Sequence, residues 1–126
     1  AEVAREDRHL AATTVTAEFT VELRDIAFAP AALEVGVDQV VDLRLQNTGT
    51  VDHDFTIEGI PADAVVLGRQ AAEHQGHSRA YPVHAAPGPG EALTIRLHPH
   101  QGGTYTYYCT VKGHREAGMS GTLVVS

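Results

Sequence analysis

Between Phe19 and Arg24 the chain alternates strictly, with Phe19, Val21 and Leu23 apolar and Thr20, Glu22 and Arg24 polar. The same period of two recurs at Val41, Leu43 and Leu45 against Asp42, Arg44 and Gln46, and again at Leu93, Ile95 and Leu97 against Thr94 and Arg96. Successive side chains of an extended chain point to opposite faces, so each segment predicts a strand with one buried and one wetted face. Ala32–Val37, Phe55–Glu58, Thr104–Cys109 and Thr122–Val125 are shorter strand candidates. Turn chemistry separates them, at Asn47-Thr48-Gly49, Gly59 to Pro61, Pro87-Gly88-Pro89-Gly90 and Gln101-Gly102-Gly103. Many short strands at this spacing predict an all-β sandwich. Two segments fall outside the pattern. Residues 1–17 lack a sustained period and read as a tail or loose first strand, leaving 18–126 as the domain. Residues 61–90 read as one long connection, in which Ala64–His74 is compatible with a helical turn or two. A connection of that length in a small domain is usually functional or ordered by something.

Composition narrows the class. The chain has 126 residues, which suits one domain, and 9 Lys+Arg against 16 Asp+Glu gives 9 − 16 = −7. That balance argues against a nucleic-acid binder, whose phosphate contacts need clustered Lys and Arg. No run of 18 apolar residues is present to cross a bilayer. Ala1 to Leu10 is too charged for the apolar stretch of a signal peptide, which makes the chain either cytosolic or a mature product after cleavage.

Candidate chemistry sits in the unusual counts: one cysteine and eight histidines. A single Cys109 forbids an intrachain disulfide and a multi-cysteine zinc site. In the segment from Tyr107 to Met119, Cys109, His114 and Met119 are each five residues apart, and Gly113 and Gly118 each precede a candidate ligand. A thiolate, an imidazole and a thioether form a soft donor set that favours copper over oxygen-seeking ions. Parity supplies a second histidine. His53 shares a face with Phe55 and Ile57, the apolar one, and Cys109 shares a face with Tyr107 and Tyr105. Both then point into the gap between sheets. Two His, one Cys and a weak axial Met is the type 1 (blue) copper arrangement.

Asn47-Thr48-Gly49 followed by His53-Asp54-Phe55, then Cys-x4-His-x4-Met before a closing strand Gly121–Val125, resembles the cupredoxins, the small blue copper proteins of the plastocyanin, azurin, auracyanin and rusticyanin group. The resemblance runs from about Phe19 to Ser126. It implies a Greek-key β-sandwich with one copper per chain, His53, Cys109 and His114 as equatorial ligands and Met119 as the axial one. It also implies a non-enzymatic electron carrier cycling Cu(II)/Cu(I), with redox partner proteins docking transiently near His114. An extracytoplasmic or periplasmic location follows, with a tether outside the chain as an option, and a monomer is expected. Asp54, beside a ligand, and backbone N–H groups near the sulfur are candidates to fix the ligands. Val111, Ala117 and nearby prolines are candidates for an apolar docking rim, with Lys112 and Arg115 as its solvated edge.

Rival functions meet specific obstacles. A laccase-like oxidase needs histidines flanking the cysteine, where Tyr108 and Thr110 stand. A binuclear copper centre needs two cysteines in one loop. A nitrite reductase draws on a second domain, so it enters only if this chain was trimmed from a larger copper enzyme. A copper chaperone or storage protein is the remaining alternative, motivated by the surplus His74, His77, His84, His98 and His100. Those residues share no fixed spacing and are not expected to make a second tight site. If strand directions alternate, His98 and His100 lie at the sheet end away from the ligands, and His84 is the one that approaches them.

Overall fold

The computed structural model describes residues 14–67, 74–77 and 83–126. Eleven strands lie among those residues: β1 (Ala17–Arg24), β2 (Ala27–Ala29), β3 (Ala32–Val35), β4 (Val41–Asn47), β5 (Phe55–Ile57), β6 (Ala62–Leu67), β7 (His74–His77), β8 (Val83–Ala85), β9 (Ala92–Pro99), β10 (Gly103–Tyr108) and β11 (Ser120–Val125). They form two sheets, ordered β2-β1-β4-β9-β6-β7 and β3-β11-β10-β5-β8. The chain crosses repeatedly between the sheets, as from β4 to β5 and from β8 to β9, which gives the expected all-β sandwich. β1 runs parallel to β4 and β3 parallel to β11, while the remaining pairs are antiparallel.

The alternating segments bury the residues their period assigns. Val21, Leu23, Leu43, Leu45, Ile95 and Leu97 all lie in one core cluster between the sheets. Phe55 stacks on Tyr107 at 4.8 Å between ring centroids, and Phe28 meets both rings edge-on. The outward residues are also managed: Asp42 on β4 takes the Arg96 guanidinium of β9 at 2.8 Å.

The long connection expected over 61–90 is instead built into the sheets. The helical turn considered for Ala64–His74 is corrected at both ends, since 64–67 belong to β6 and His74 opens β7. Residues 68–73 lie outside the described part. β6 hydrogen-bonds β9 on one side and β7 on the other, so both its edges are used. Its β-branched Val65 and Val66 are buried on opposite faces, which suits a central strand better than an amphipathic helix. Val15 packs against the cluster that Val65 forms with Val40, so chain ahead of β1 lies on the outer face of the six-stranded sheet. Of the expected tail, residues 1–13, including His9, lie outside the described part, and Ala17 is already in β1.

Strand direction creates two distinct ends. β4 finishes at Asn47 where β5 begins, where β10 finishes at Tyr108 and where β11 begins at Ser120. The opposite end gathers the close of β3, the start of β4 and the close of β9. His53 and the 109–119 loop occupy the first end, and His98 and His100 the second.

Candidate metal centre

His53 is reached from β4 through a loop fixed by a buried asparagine. The Asn47 amide donates to the carbonyls of Val51 and Pro87, each at 3.0 Å, and its Oδ1 accepts from the Gly49 N–H at 2.9 Å. These bonds bend the chain so that His53 enters the gap just ahead of β5. Its side chain is fully buried.

Cys109 follows directly on β10, and the loop after it closes on itself. The Cys109 N–H donates to the Met119 carbonyl at 3.2 Å, and the Met119 N–H donates to the His114 carbonyl at 3.0 Å. The three candidate ligands of this loop are therefore stitched together through their backbones. Gly113 and Gly118 adopt φ of 85° and 103°, left-handed values that a side chain would oppose. Met119 is wholly buried in the same cluster as Cys109, whereas His114 is half-buried among exposed Gly113, Arg115 and Glu116.

The donor atoms converge. One atom each from His53, Cys109 and His114 lie within 4.8 Å of one another. His114 Nδ1 is 3.5 Å from Cys109 Sγ, and the His53 and His114 ring centroids are 4.9 Å apart. His53 Nε2 is engaged by Asp25 Oδ1 at 2.6 Å, while its buried Nδ1 has no hydrogen-bond partner. A buried polar atom without a partner costs about 1–3 kcal/mol, so a donor or a cation for that lone pair is called for. A metal ion shared with a thiolate and a second imidazole meets that need, and the donor chemistry fits copper.

Asp25 escaped the sequence reading. It lies in the short turn between β1 and β2, remote in sequence from every candidate ligand, and nothing in an isolated Asp-Ile turn signals its role. Its Oδ2 accepts from the Thr50 N–H at 2.9 Å and the Thr50 hydroxyl at 2.7 Å. Those bonds, and then His53, hold its carboxyl far below the usual carboxylate range. Gly49 makes the approach possible, because a methyl there would overlap Asp25 Oδ1 and come within 3.0 Å of His53 Nε2.

Asp54, anticipated as a supporting residue, serves the sulfur side. Its N–H lies 3.5 Å from Cys109 Sγ, and its carboxylate accepts from the Thr110 N–H at 2.7 Å and from the Thr110 hydroxyl. Burial alone would push the Asp54 carboxyl up, but His84 and Thr110 outweigh it and hold it below its ordinary value. Burial also pushes the Cys109 thiol up, partly offset by N–H groups of Asp54 and Val111.

The surplus histidines separate as expected. His84, opposite Thr56 in the β5–β8 pair, comes within 3.4 Å of Asp54 Oδ2 and so stands beside the centre without joining it. His98 and His100 lie at the far end, and His74 and His77 are placed only by their backbone pairing with Leu67 and Ala64. Arg115 is more than a solvated rim: its guanidinium lies 4.1 Å over the Tyr108 ring, and the Tyr108 hydroxyl donates to Glu58.

Residues 15–126 match the model of copper-binding proteins of the plastocyanin/azurin family. Among curated proteins the chain is 30% identical over 122 residues to auracyanin-B of Chloroflexus aurantiacus, with 85% of this chain and 52% of that protein covered. The chain thus spans about half the length of that relative. A solved auracyanin B structure superposes with a TM-score of 0.66 at 25% identity, over 90% of this chain and 91% of that one. A laccase from Pediococcus acidilactici shares the fold at a TM-score of 0.72 and 19% identity, over 93% of this chain but only 28% of that one.

Proposed function

The chain belongs to the plastocyanin/azurin family of copper-binding proteins, and we propose that it is a single-electron carrier built on one mononuclear type 1 copper site within residues 18–126. His53, Cys109 and His114 are the strong ligands in this reading and Met119 is the weak axial one. The observation that carries it is the buried, partnerless Nδ1 of His53 set beside the Cys109 thiol and the His114 imidazole. When bound, copper supplies a one-electron Cu(II)/Cu(I) couple at the meeting point of these donors.

The protein's own part is to hold those donors still. His53 is fixed through Asp25, Cys109 through the Asp54 N–H, and the loop through its internal backbone bonds. A frame that does not relax between two oxidation states keeps the rearrangement on electron transfer small. Electrons enter and leave at His114, the half-buried ligand. Half-buried Val111 and exposed Ala117 flank it as a small apolar rim, and small interfaces suit brief redox encounters. The partner is another redox protein, met by a monomer in an extracytoplasmic space.

Two features support a carrier over an enzyme or a chaperone. Cys109 is flanked by Tyr108 and Thr110, which offer no ligands for further coppers. His53, Cys109 and Met119 are all buried, whereas handing metal to another protein requires donors that can be reached. The test is voltammetry on the copper-loaded chain combined with its visible spectrum. An intense thiolate charge-transfer band and a reversible one-electron wave are expected. Copper bound without either would turn the assignment to storage or delivery.

A further inference from the structure

At the end of the sandwich away from Cys109, a second set of donors converges. His98 and His100 stand two residues apart with buried Pro99 between them, so both imidazoles leave the same face of the chain, 4.5 Å between ring centroids. Asp38, in the turn after β3, is brought over them by its N–H, which donates to the Pro99 carbonyl at 2.8 Å. Its Oδ1 lies 3.9 Å from His98 Nε2 and 3.7 Å from His100 Nδ1, and one donor atom from each of the three residues falls within 4.8 Å of the others.

Those separations are too long for hydrogen bonds and close to what one ion would bridge. Donors around a four-coordinate zinc ion, each about 2.0–2.2 Å from it, stand roughly 3.3–3.5 Å apart. The Asp38 side chain is 72% exposed, so it is free to close the small difference. The ring of His100 is already oriented. Its Nε2 lies 2.8 Å from Asp63 Oδ2, and an N–H donated to that carboxylate turns the opposite nitrogen, Nδ1, toward Asp38 as a metal donor. In that tautomer a metal cation held between Nδ1 and the Asp38 carboxylate is favourable to both donors. A carboxylate behind a histidine, fixing its tautomer, is how ligating imidazoles are usually oriented.

We propose that Asp38, His98 and His100 form a second metal site, for a borderline divalent ion of the zinc class, with Asp63 as the positioning residue for His100. The site has no sulfur donor, so it does not compete for Cu(I). Three protein donors leave a fourth position for water or a side chain of another molecule. Its exposure makes the ion exchangeable, so dialysis should remove the zinc and leave the copper in place. Bound metal would tie the turn after β3 to the close of β9.

The test is calorimetric titration of zinc chloride into the copper-loaded chain, with the visible spectrum recorded throughout. One zinc per chain is expected with the copper spectrum unchanged. The double variant His98→Gln/His100→Gln should bind zinc at least a hundredfold more weakly, and Asp63→Asn about tenfold more weakly. An unaltered copper spectrum in each variant shows that the sandwich is intact. Absence of zinc uptake by the parent, undiminished uptake by the double variant, or loss of copper colour in proportion to added zinc would each overturn the proposal.

Discussion

At one end of the sandwich His53 is fully buried and backed by Asp25 at 2.6 Å; at the other His100 is 23% exposed and backed by Asp63 at 2.8 Å. Each pair leaves the opposite ring nitrogen turned toward further donors. What differs is the company. His53 looks onto a thiol, a second imidazole and a buried thioether, and His100 onto a carboxylate and a second imidazole on the surface. On the two proposals above, the same histidine–carboxylate device serves two chemistries, with donor softness choosing the ion and burial setting how firmly it is kept.

The largest expected effect lies at the buried end. Cys109→Ser should abolish the intense visible band, because that band requires a copper–thiolate bond; a variant that keeps the parent spectrum would remove Cys109 from the site. Stability should follow the same contrast. Copper at a thousandfold excess over its Kd should raise folding stability by about 4 kcal/mol, whereas zinc at tenfold excess should add about 1.4 kcal/mol. Calorimetric melting of the apo, copper-loaded and doubly loaded chain reads both, and equal melting temperatures for apo and copper-loaded protein would contradict a preformed centre.

The device itself is broken by Asp25→Ala or by Gly49→Ala, whose methyl would overlap Asp25 Oδ1. Each should weaken copper binding by about 10–100-fold in competition with a chelator and leave zinc binding unchanged. Asp25→Asn, which retains an oxygen acceptor, should lose less. Smaller still is the effect at Met119, where copper and colour should survive. Met119→Gln supplies a harder donor and should lower the reduction potential, and Met119→Leu should raise it; potentials that move together would exclude axial ligation.

The smallest effect concerns the core that both ends share. Burial holds the Tyr107 hydroxyl, which donates to the Pro30 carbonyl at 2.9 Å, up to about 12. A raised folded value means that this contribution is intact below pH 10 and is lost as pH climbs from about 10 toward 12. Tyr107→Phe should therefore cost about 1 kcal/mol at neutral pH yet flatten the alkaline decline. A variant whose stability falls as steeply as the parent's above pH 10 would place the titrating group elsewhere.

Much of this was legible in sequence because it rests on period and parity. Alternation in β1, β4 and β9 fixed which residues are buried, and the same count turned His53 and Cys109 inward. The five-residue spacing of Cys109, His114 and Met119 was readable because one loop carries all three. Contacts between distant segments were not. Asp25 meets His53 across 28 positions, and Asp38 and Asp63 meet the far-end histidines only because β3 and β9 finish where β6 begins. β6 was obscured for a related reason: buried on both faces, it lacks the polar alternation that marks the other strands.

The strand order has a consequence for crowded solution. At the borders of the two sheets, β2 and β3 are three and four residues long, while β1, β4, β9 and β10 inside run to between six and eight. A short border offers few unpaired N–H and C=O groups to the border of another molecule, so accidental sheet extension gains little. A carrier of the kind proposed, which must collide and release repeatedly, benefits from such blunt margins, because stickiness would turn encounters into aggregates.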